Sequence, residues 1–324
     1  MQLLFNNILS KALVRKASDI HFIPSENDIY LNLRINDQLI FIETIHPTLY
    51  RKLLTFMKYQ AGLDVSNHNI AQSGRYLYKY KELYYLRIST LPLSLGIESC
   101  VIRIIPQYFK EPNPNTELLE LYKLMNKNQG LILLSGPTGS GKSTLMYQLV
   151  KYAKDNLNLN IITIEDPVET LIKGITQISI NEKAGINYAS SFKAILRCDP
   201  DIILIGEIRD SAIAKCVLQA SLSGHLVLST IHASNCKGAI LRLIEMGCSI
   251  QEMHQSLLTV INQRLVTTNN QNRLLIYETL NADDVKYFFE HNNNLPRNFE
   301  SLNYKLEMMS KEGVIREATL DRYS

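Results

Sequence analysis

Eight consecutive residues, Gly136-Pro137-Thr138-Gly139-Ser140-Gly141-Lys142-Ser143, carry the plainest chemistry in this chain. An apolar run, 131–135, leads into them, and Thr144-Leu145-Met146-Tyr147-Gln148-Leu149-Val150 continues them as a helical pattern. Strand, glycine-rich loop, Lys-Ser and helix in that order make a phosphate-binding loop. Its backbone N–H groups surround phosphate oxygens, Lys142 reaches the β/γ-phosphates, and the Ser143 hydroxyl holds Mg²⁺. The helix that follows adds unpaired N–H groups and the positive end of its dipole. The alternative is a glycine-rich turn without a ligand, and the flanking strand and helix patterns weigh against it.

Three further segments could complete a hydrolytic site. The apolar strand Ile202-Ile203-Leu204-Ile205-Gly206-Glu207 ends in a carboxylate. It is expected next to the loop's own strand, with Glu207 facing the γ-phosphate to orient and deprotonate the attacking water. A strand-end salt bridge is the alternative for Glu207. Gly206 stands where many such strands carry an Asp that orders the metal, so that carboxylate must come from elsewhere. A second buried strand, Ile161-Ile162-Thr163-Ile164-Glu165-Asp166, ends in two acids, with Glu169 just beyond. Carboxylates this crowded repel one another unless a cation or an arginine stands among them. Glu165 and Asp166 are the candidates for the role that Gly206 leaves open, unless they are purely structural. The third segment, Gly224 to His232, is a strand bracketed by His225 and His232. Their spacing does not match a zinc pair. Packing is one reading of them; polar contacts that relay nucleotide state, with His232 at the phosphate end, is the other.

These residues need elements that bring them to one sheet edge. The second half alternates strand patterns at 131–135, 160–164, 202–205 and 225–230 with helical patterns at 143–154, 188–197, 212–222 and 236–246. Continuous apolar strands are expected when helices cover both faces of a parallel sheet, so this half is α/β, with a RecA-like P-loop domain as the natural candidate. Past Gln263 the pattern weakens: 274–278 reads as a late strand, 291–298 as a polar loop, and the rest as a helical tail. Residues 1–107 read as a smaller α+β domain. It has a helix to about residue 16, strands at 19–23, 29–35 and 38–42 with a turn at Asn36-Asp37, and a helix over 46–62 with Pro47 in its first turn. Strands near 74–80, 83–89 and 100–105 follow. Glu111-Pro112-Asn113-Pro114-Asn115-Thr116 favours extended polar chain, which makes 108–116 a linker and 117–324 the second domain.

With 324 residues, 46% hydrophobic and 20% charged, the chain has material for two globular cores. A net charge of +3 and the lack of tryptophan give no ground for a nucleic-acid-binding face. Cys100, Cys198, Cys216, Cys236 and Cys248 form no C-x-x-C pair, which speaks for reduced thiols in a cytosolic protein rather than zinc or disulfides. No apolar run approaches the roughly 18 residues of a membrane span. Leu3, Leu4, Ile8, Leu9, Ala12 and Leu13 recur at helical spacing and precede Arg15 and Lys16, which indicates an amphipathic helix rather than a signal peptide.

Taken in order, these segments resemble the secretion ATPase superfamily, the motors of type II secretion and type IV pilus assembly. G-P-T-G-S-G-K-S-T is similar to its Walker A box and I-T-I-E-D-P-V-E to its Asp box. L-R-C-D-P-D-I-I-L-I-G-E-I-R-D resembles its Walker B box and S-G-H-L-V-L-S-T-I-H its His box. In the first half, Ala17-Ser18-Asp19-Ile20-His21, Ser73-Gly74-Arg75, Leu86-Arg87-Ile88-Ser89-Thr90-Leu91-Pro92 and Val101-Ile102-Arg103-Ile104 resemble further family segments. The resemblance implies a PAS-like N-terminal domain whose Arg87 and Arg103 reach the nucleotide phosphates, a task suited to the planar guanidinium fork. Their spacing is one residue longer than the family pattern. Gln263-Arg264-Leu265 runs on without the Cys-rich loop of many members, so no zinc is expected. The A-I-R-N-L-I-R-E segment of retraction motors is absent as well. This combination resembles the short competence-type, ComGA-like members of Gram-positive bacteria.

The resemblance implies a cytoplasmic homo-hexamer, peripheral at the inner face of the membrane, that binds ATP and Mg²⁺ through residues 136–144 and hydrolyses ATP to drive assembly of a competence pseudopilus for DNA uptake. The implied partner is a polytopic inner-membrane platform protein, with pilins linked only indirectly and no direct contact with nucleic acid. A type II secretion or pilus-extension motor is the near alternative, and the missing Cys-rich loop weighs against it. A RecA-like DNA translocase is disfavoured by the low charge, and a non-catalytic scaffold by the intact Lys142, Ser143 and Glu207.

Overall fold

The computed structural model describes all residues except 37, 95, 111–117, 271, 318, 319 and 322–324, and the side chain of 183. Part of the expected turn at Asn36-Asp37 and most of the expected linker therefore lie outside the described residues. The chain divides into two compact units, Met1–Lys110 and Glu111–Ser324.

The first unit runs α1 (Gln2–Val14), β1 (Asp19–Pro24), β2 (Ile29–Ile35), β3 (Gln38–Ile45), α2 (Pro47–Gln60), β4 (Gln72–Lys79), β5 (Leu83–Pro92) and β6 (Glu98–Pro106). Its six strands form one antiparallel sheet in the order β3-β2-β1-β6-β5-β4. Phe5, Ile8 and Leu9 of α1 share a core with Tyr50, Leu53 and Met57 of α2 and with Ile20, Phe22, Leu86 and Ile88 of the sheet. Of the expected apolar face of α1, Ile8, Leu9 and Ala12 are thus buried within their own unit, whereas Leu3 is 86% exposed. His46 caps α2 by accepting the Thr48 N–H through Nδ1, and Pro47 occupies the first turn, where a missing N–H costs nothing. One buried ion pair ties α2 to β6: Lys58 Nζ lies 2.7 Å from Glu98 Oε1, with the two side chains 1% and 3% exposed. His68 Nδ1 stands 2.8 Å from the other Glu98 oxygen.

The second unit begins α3 (Leu119–Leu124), β7 (Gly130–Ser135), α4 (Lys142–Leu157), β8 (Ile161–Glu165), β9 (Thr176–Ser179), α5 (Tyr188–Ile195), β10 (Ile202–Glu207), α6 (Ser211–Leu222) and β11 (Leu226–Ile231). It continues through α7 (Cys236–Glu245), α8 (Ile250–Ser256), β12 (Leu257–Thr267), β13 (Arg273–Asn281), α9 (Ala282–Glu290) and α10 (Leu302–Lys311). The strand order is β13-β12-β7-β11-β10-β8-β9, parallel throughout except for the β12–β13 hairpin. β7, β8 and β11 are buried along their whole length. Leu131 and Leu133 pack with residues of α5, α6, α7, α8 and α9 on one face. Ile132 and Leu134 alternate to the face where α4 lies on β7 and β11.

Two expectations are corrected here. The strand ending in Glu207 is not next to the P-loop strand, because β11 lies between β7 and β10. Both strands are apolar enough to be buried on two faces, so their composition is the same in either order. The long strand β12 was also not anticipated: buried Asn262 and Gln263, each 0% exposed, interrupt its apolar run.

Candidate active site

Because β7, β11, β10 and β8 are parallel, their carboxyl ends share one edge of the sheet. The phosphate-loop sequence leaves β7 there, His232 follows β11, Glu207 ends β10 and Glu165 ends β8. The topology thus assembles the three sequence-predicted segments and the loop, even with β11 interposed.

In the loop, Pro137, Thr138 and Gly139 form an exposed tip, while Ser140 is 3% exposed. Gly136 has φ +141°, and a Cβ there would stand 2.6 Å from the Gln263 carbonyl oxygen, so only glycine fits between β7 and β12. Gly141 precedes the sixteen-residue α4, and Ser143 and Thr144 are exposed in its first turn. Lys142 Nζ donates to the carbonyls of Gly136 at 2.8 Å and Pro137 at 3.0 Å. Burial pulls the Lys142 amine below its ordinary pKa, the Arg264 charge adds to that, and Glu207 opposes both.

Around Glu207 the crowding of acids is resolved by Arg209. Its Nε donates to Glu207 Oε2 at 3.1 Å and its Nη1 to Asp166 Oδ2 at 2.9 Å. His232 Nε2 lies 3.1 Å from the other Glu207 oxygen. The Glu207 hydrogen bond holds the Arg209 guanidinium above its ordinary pKa. At Gly206 the ladder to β11 slips, so that Ile205 faces Ser229 and Glu207 faces Thr230. The freed Gly206 carbonyl accepts the hydroxyls of Ser229 at 3.3 Å and Thr230 at 3.2 Å. Gly206 is therefore the point at which β10 turns its terminal carboxylate.

Glu165 and Asp166 part company. Glu165 is 8% exposed and accepts the Thr163 hydroxyl at 2.7 Å, the Gln177 amide at 3.3 Å and the Tyr147 hydroxyl of α4. Burial and then Glu165 push the Tyr147 phenol far above its ordinary pKa. Asp166 is more open, and burial together with its charge pushes the Tyr188 phenol up to about 12.

His225 is not part of this group. It lies at the opposite end of β11, where its Nδ1 meets the Ser223 hydroxyl at 3.1 Å. Six strand residues at ~3.3 Å each separate it from His232, so the reading of both histidines as sensors fails for this one. In the first unit, Arg87 and Arg103 face each other directly across β5 and β6. The ladder runs regularly from the two arginines to Pro92 and Glu98. Arg103 Nε donates to Asp19 Oδ1 at 2.8 Å, which offsets like charges standing opposite.

Sequence reasoning missed Arg209, Tyr147, Asn262 and Gln263. Only Arg209 had a signal, since paired acids need a cation between them. Among the described residues, no group of three or more His, Cys, Asp or Glu side chains could hold a metal ion, and no helix is long and apolar enough to cross a membrane.

The family described as type II/IV secretion system protein matches residues 1–298. The competence protein ComGA of Bacillus subtilis (strain 168) is 39% identical over 269 residues, which is 80% of this chain and 74% of that protein. The type IV pilus assembly ATPase PilB of Thermus thermophilus is 37% identical over 80% of this chain, but only 30% of its own length is spanned. Among solved structures, the pilus retraction motor PilT with bound ADP superposes with a TM-score of 0.72 at 25% identity, covering 98% of this chain and 96% of that one.

Proposed function

Because this chain belongs to the type II/IV secretion system protein family, we propose that it is an ATP-hydrolysing motor that drives assembly of a competence pseudopilus. The observation that carries the catalytic part is the meeting of a phosphate loop with the Glu207–His232–Arg209–Asp166 cluster at one sheet edge. Loop amides and Lys142 bind the phosphates of ATP. Glu207, whose side chain is 28% exposed, orients and deprotonates the attacking water, with His232 and Arg209 fixing its two oxygens. Asp166 is the more accessible of the two acids offered for ordering the metal's water shell, and Glu165 anchors the strand beneath it. Arg87 and Arg103 keep the role that the resemblance implies, as charge partners of the phosphates.

Mg²⁺ prefers oxygen ligands and retains several waters. The exposed Ser143 hydroxyl as a direct ligand, with the accessible Asp166 carboxylate acting on bound water, offers oxygen donors of that kind, so the residues fit the ion. Ser143 would hold it directly, and bound Mg²⁺ would supply neutralisation of phosphate charge.

Replacing Glu207 by Gln tests the reading. The variant is expected to bind ATP and lose turnover by at least 10²-fold, the contribution of a positioned general base; a wild-type rate would overturn the role. The competence reading rests on identity to a competence protein over four fifths of the chain. It includes a homo-hexamer and a membrane platform protein as partner. Mass measurement in solution tests the first, and co-purification with a polytopic protein encoded nearby tests the second. A type II secretion or pilus-extension motor remains the near alternative, and restoration of DNA uptake in a strain lacking its own motor decides between them.

A further inference from the structure

Three consecutive residues of β12 touch both halves of the nucleotide site, although none belongs to a catalytic segment. Asn262 Nδ2 donates to the Ser135 hydroxyl at 2.8 Å, where β7 enters the phosphate loop, and to the Ala233 carbonyl at 3.2 Å, one residue past His232. Gln263 Nε2 donates to the Ser140 carbonyl inside the loop at 2.8 Å. Arg264 Nη2 donates to the Ser234 carbonyl at 2.8 Å, and its Nη1 bonds Asn262 Oδ1 at 3.0 Å and the Gln263 carbonyl at 2.9 Å. The Gln263 carbonyl is also the atom against which Gly136 packs, and Leu265 packs against Gly141.

These contacts have one arrangement in common. Gln263 reaches the phosphate loop, Arg264 reaches the loop after His232, and Asn262 reaches both. Asn262 and Gln263 are 0% exposed, so each amide forms its bonds in a water-free setting, where a lost partner is costly. Arg242 grips the same loop from α7, donating to the His232 carbonyl at 3.0 Å. His232 in turn meets Glu207. An unbroken series of contacts therefore runs from the phosphate loop through β12 to the loop of the residue that holds Glu207.

We propose that Asn262, Gln263 and Arg264 are positioning residues that form a strut between the phosphate loop and the His232 loop, so that the phosphate-holding groups and the Glu207–His232 pair move as one body. The strut rests on the ATPase reading for its effect on turnover, but its effect on nucleotide binding does not depend on catalysis. Amides compete poorly with water when exposed and fix geometry when buried, which makes buried side-chain amides on a rigid strand suitable for such a task.

The test uses the full chain with Gln263→Met, which keeps the bulk and removes the donor, and Arg264→Lys, which keeps the charge but not the fork. Thr259→Val is the stability control, since its hydroxyl bonds the Leu280 carbonyl at 3.1 Å on the same two strands, away from the loops. We expect Gln263→Met to weaken binding of a fluorescent ADP analogue and raise KM for ATP about fivefold or more. Arg264→Lys should lower kcat about tenfold with KM nearly unchanged. The double variant should be less impaired than the product of the two effects, because either change alone breaks the Gln263–Arg264 path and leaves Asn262 as the remaining link. Amide exchange should quicken in 136–141 and 232–235 together in each single variant. Wild-type binding and kinetics in both variants overturn the strut, as does a loss no greater than that of a Thr259→Val protein of matched thermal stability. Lys142→Ala and Glu207→Gln run alongside: if they hydrolyse ATP normally, the ATPase reading fails, and the binding and exchange results still decide the strut.

Discussion

Asp166 and Glu207 share one guanidinium, and that sharing sets what substitution at Arg209 should do. Arg209→Ala leaves two acids facing each other and frees one side of the Glu207 carboxylate. Turnover is expected to fall on the order of 10²-fold, the usual loss for a misplaced reacting group, with Arg209→Lys intermediate; steady-state kinetics read both. Away from the site, Glu98 is the centre of a buried ion pair in the first unit. Burial alone would raise its carboxyl, but hydrogen bonds and charge from Lys58 and His68 outweigh burial and hold it below its ordinary pKa. The folded value lies below the unfolded one, so the stabilisation is complete above an unfolded pKa of about 4.3 and is lost as pH falls through the folded value. Glu98→Gln leaves Lys58 buried without its charge partner and should cost about 3–5 kcal/mol in urea unfolding at neutral pH, while flattening the acid limb of the stability curve. The need for a cation among the strand-end acids was legible in the sequence. Its source was not, because Arg209 lies just beyond Glu207 and only the turn after β10 brings it back over Asp166.

Among the elements, the long strand β12 is one that the sequence concealed, and β13 was read only in part, over 274–278. Their pattern fails because their polar residues are buried and bonded: Asn262 and Gln263 on one strand, Glu278 on the other. Glu278 accepts the Cys236 N–H at the start of α7 with one oxygen, at 2.8 Å. With the other it accepts the Leu302 N–H at the start of α10, at 2.7 Å. One carboxylate thus satisfies two helix N-termini, where negative charge is also favoured by the dipole. Glu278→Ala should cost about 3 kcal/mol, near the lower bound for two charged hydrogen bonds, and amide exchange at the first turns of α7 and α10 should accelerate together. Gly136→Ala is the corresponding test of the loop: a Cβ 2.6 Å from the Gln263 oxygen forces β7 and β12 apart, so nucleotide binding should fall with the melting temperature. By contrast, the strands ending in Glu165, Glu207 and His232 were legible as elements, since continuous apolar runs between turn residues have few other solutions. Their lateral order was not, because β10 and β11 carry similar continuous apolar runs.

For the whole molecule, two compact units, each with a hydrophobic core of its own, predict two transitions in scanning calorimetry. ATP at a hundred times its dissociation constant should raise the one belonging to residues 111–324 by about 2.7 kcal/mol, and Lys142→Ala should abolish that shift. Division of labour along the chain was legible because the phosphate loop and all three acid- or histidine-ended strands lie in the second half. The wall behind the loop was not, because it comes from a strand far along the chain. That distance has a consequence for biosynthesis. Ser135 and Asn262 are 127 residues apart and must meet before the loop is braced. At about 5–20 residues per second, translation takes roughly 6–25 seconds to cover that interval. During it, the emerging polypeptide displays the whole phosphate-loop sequence without the contacts that β12 makes to it. On the strut reading, the site is complete only once β12 has left the ribosome and joined β7.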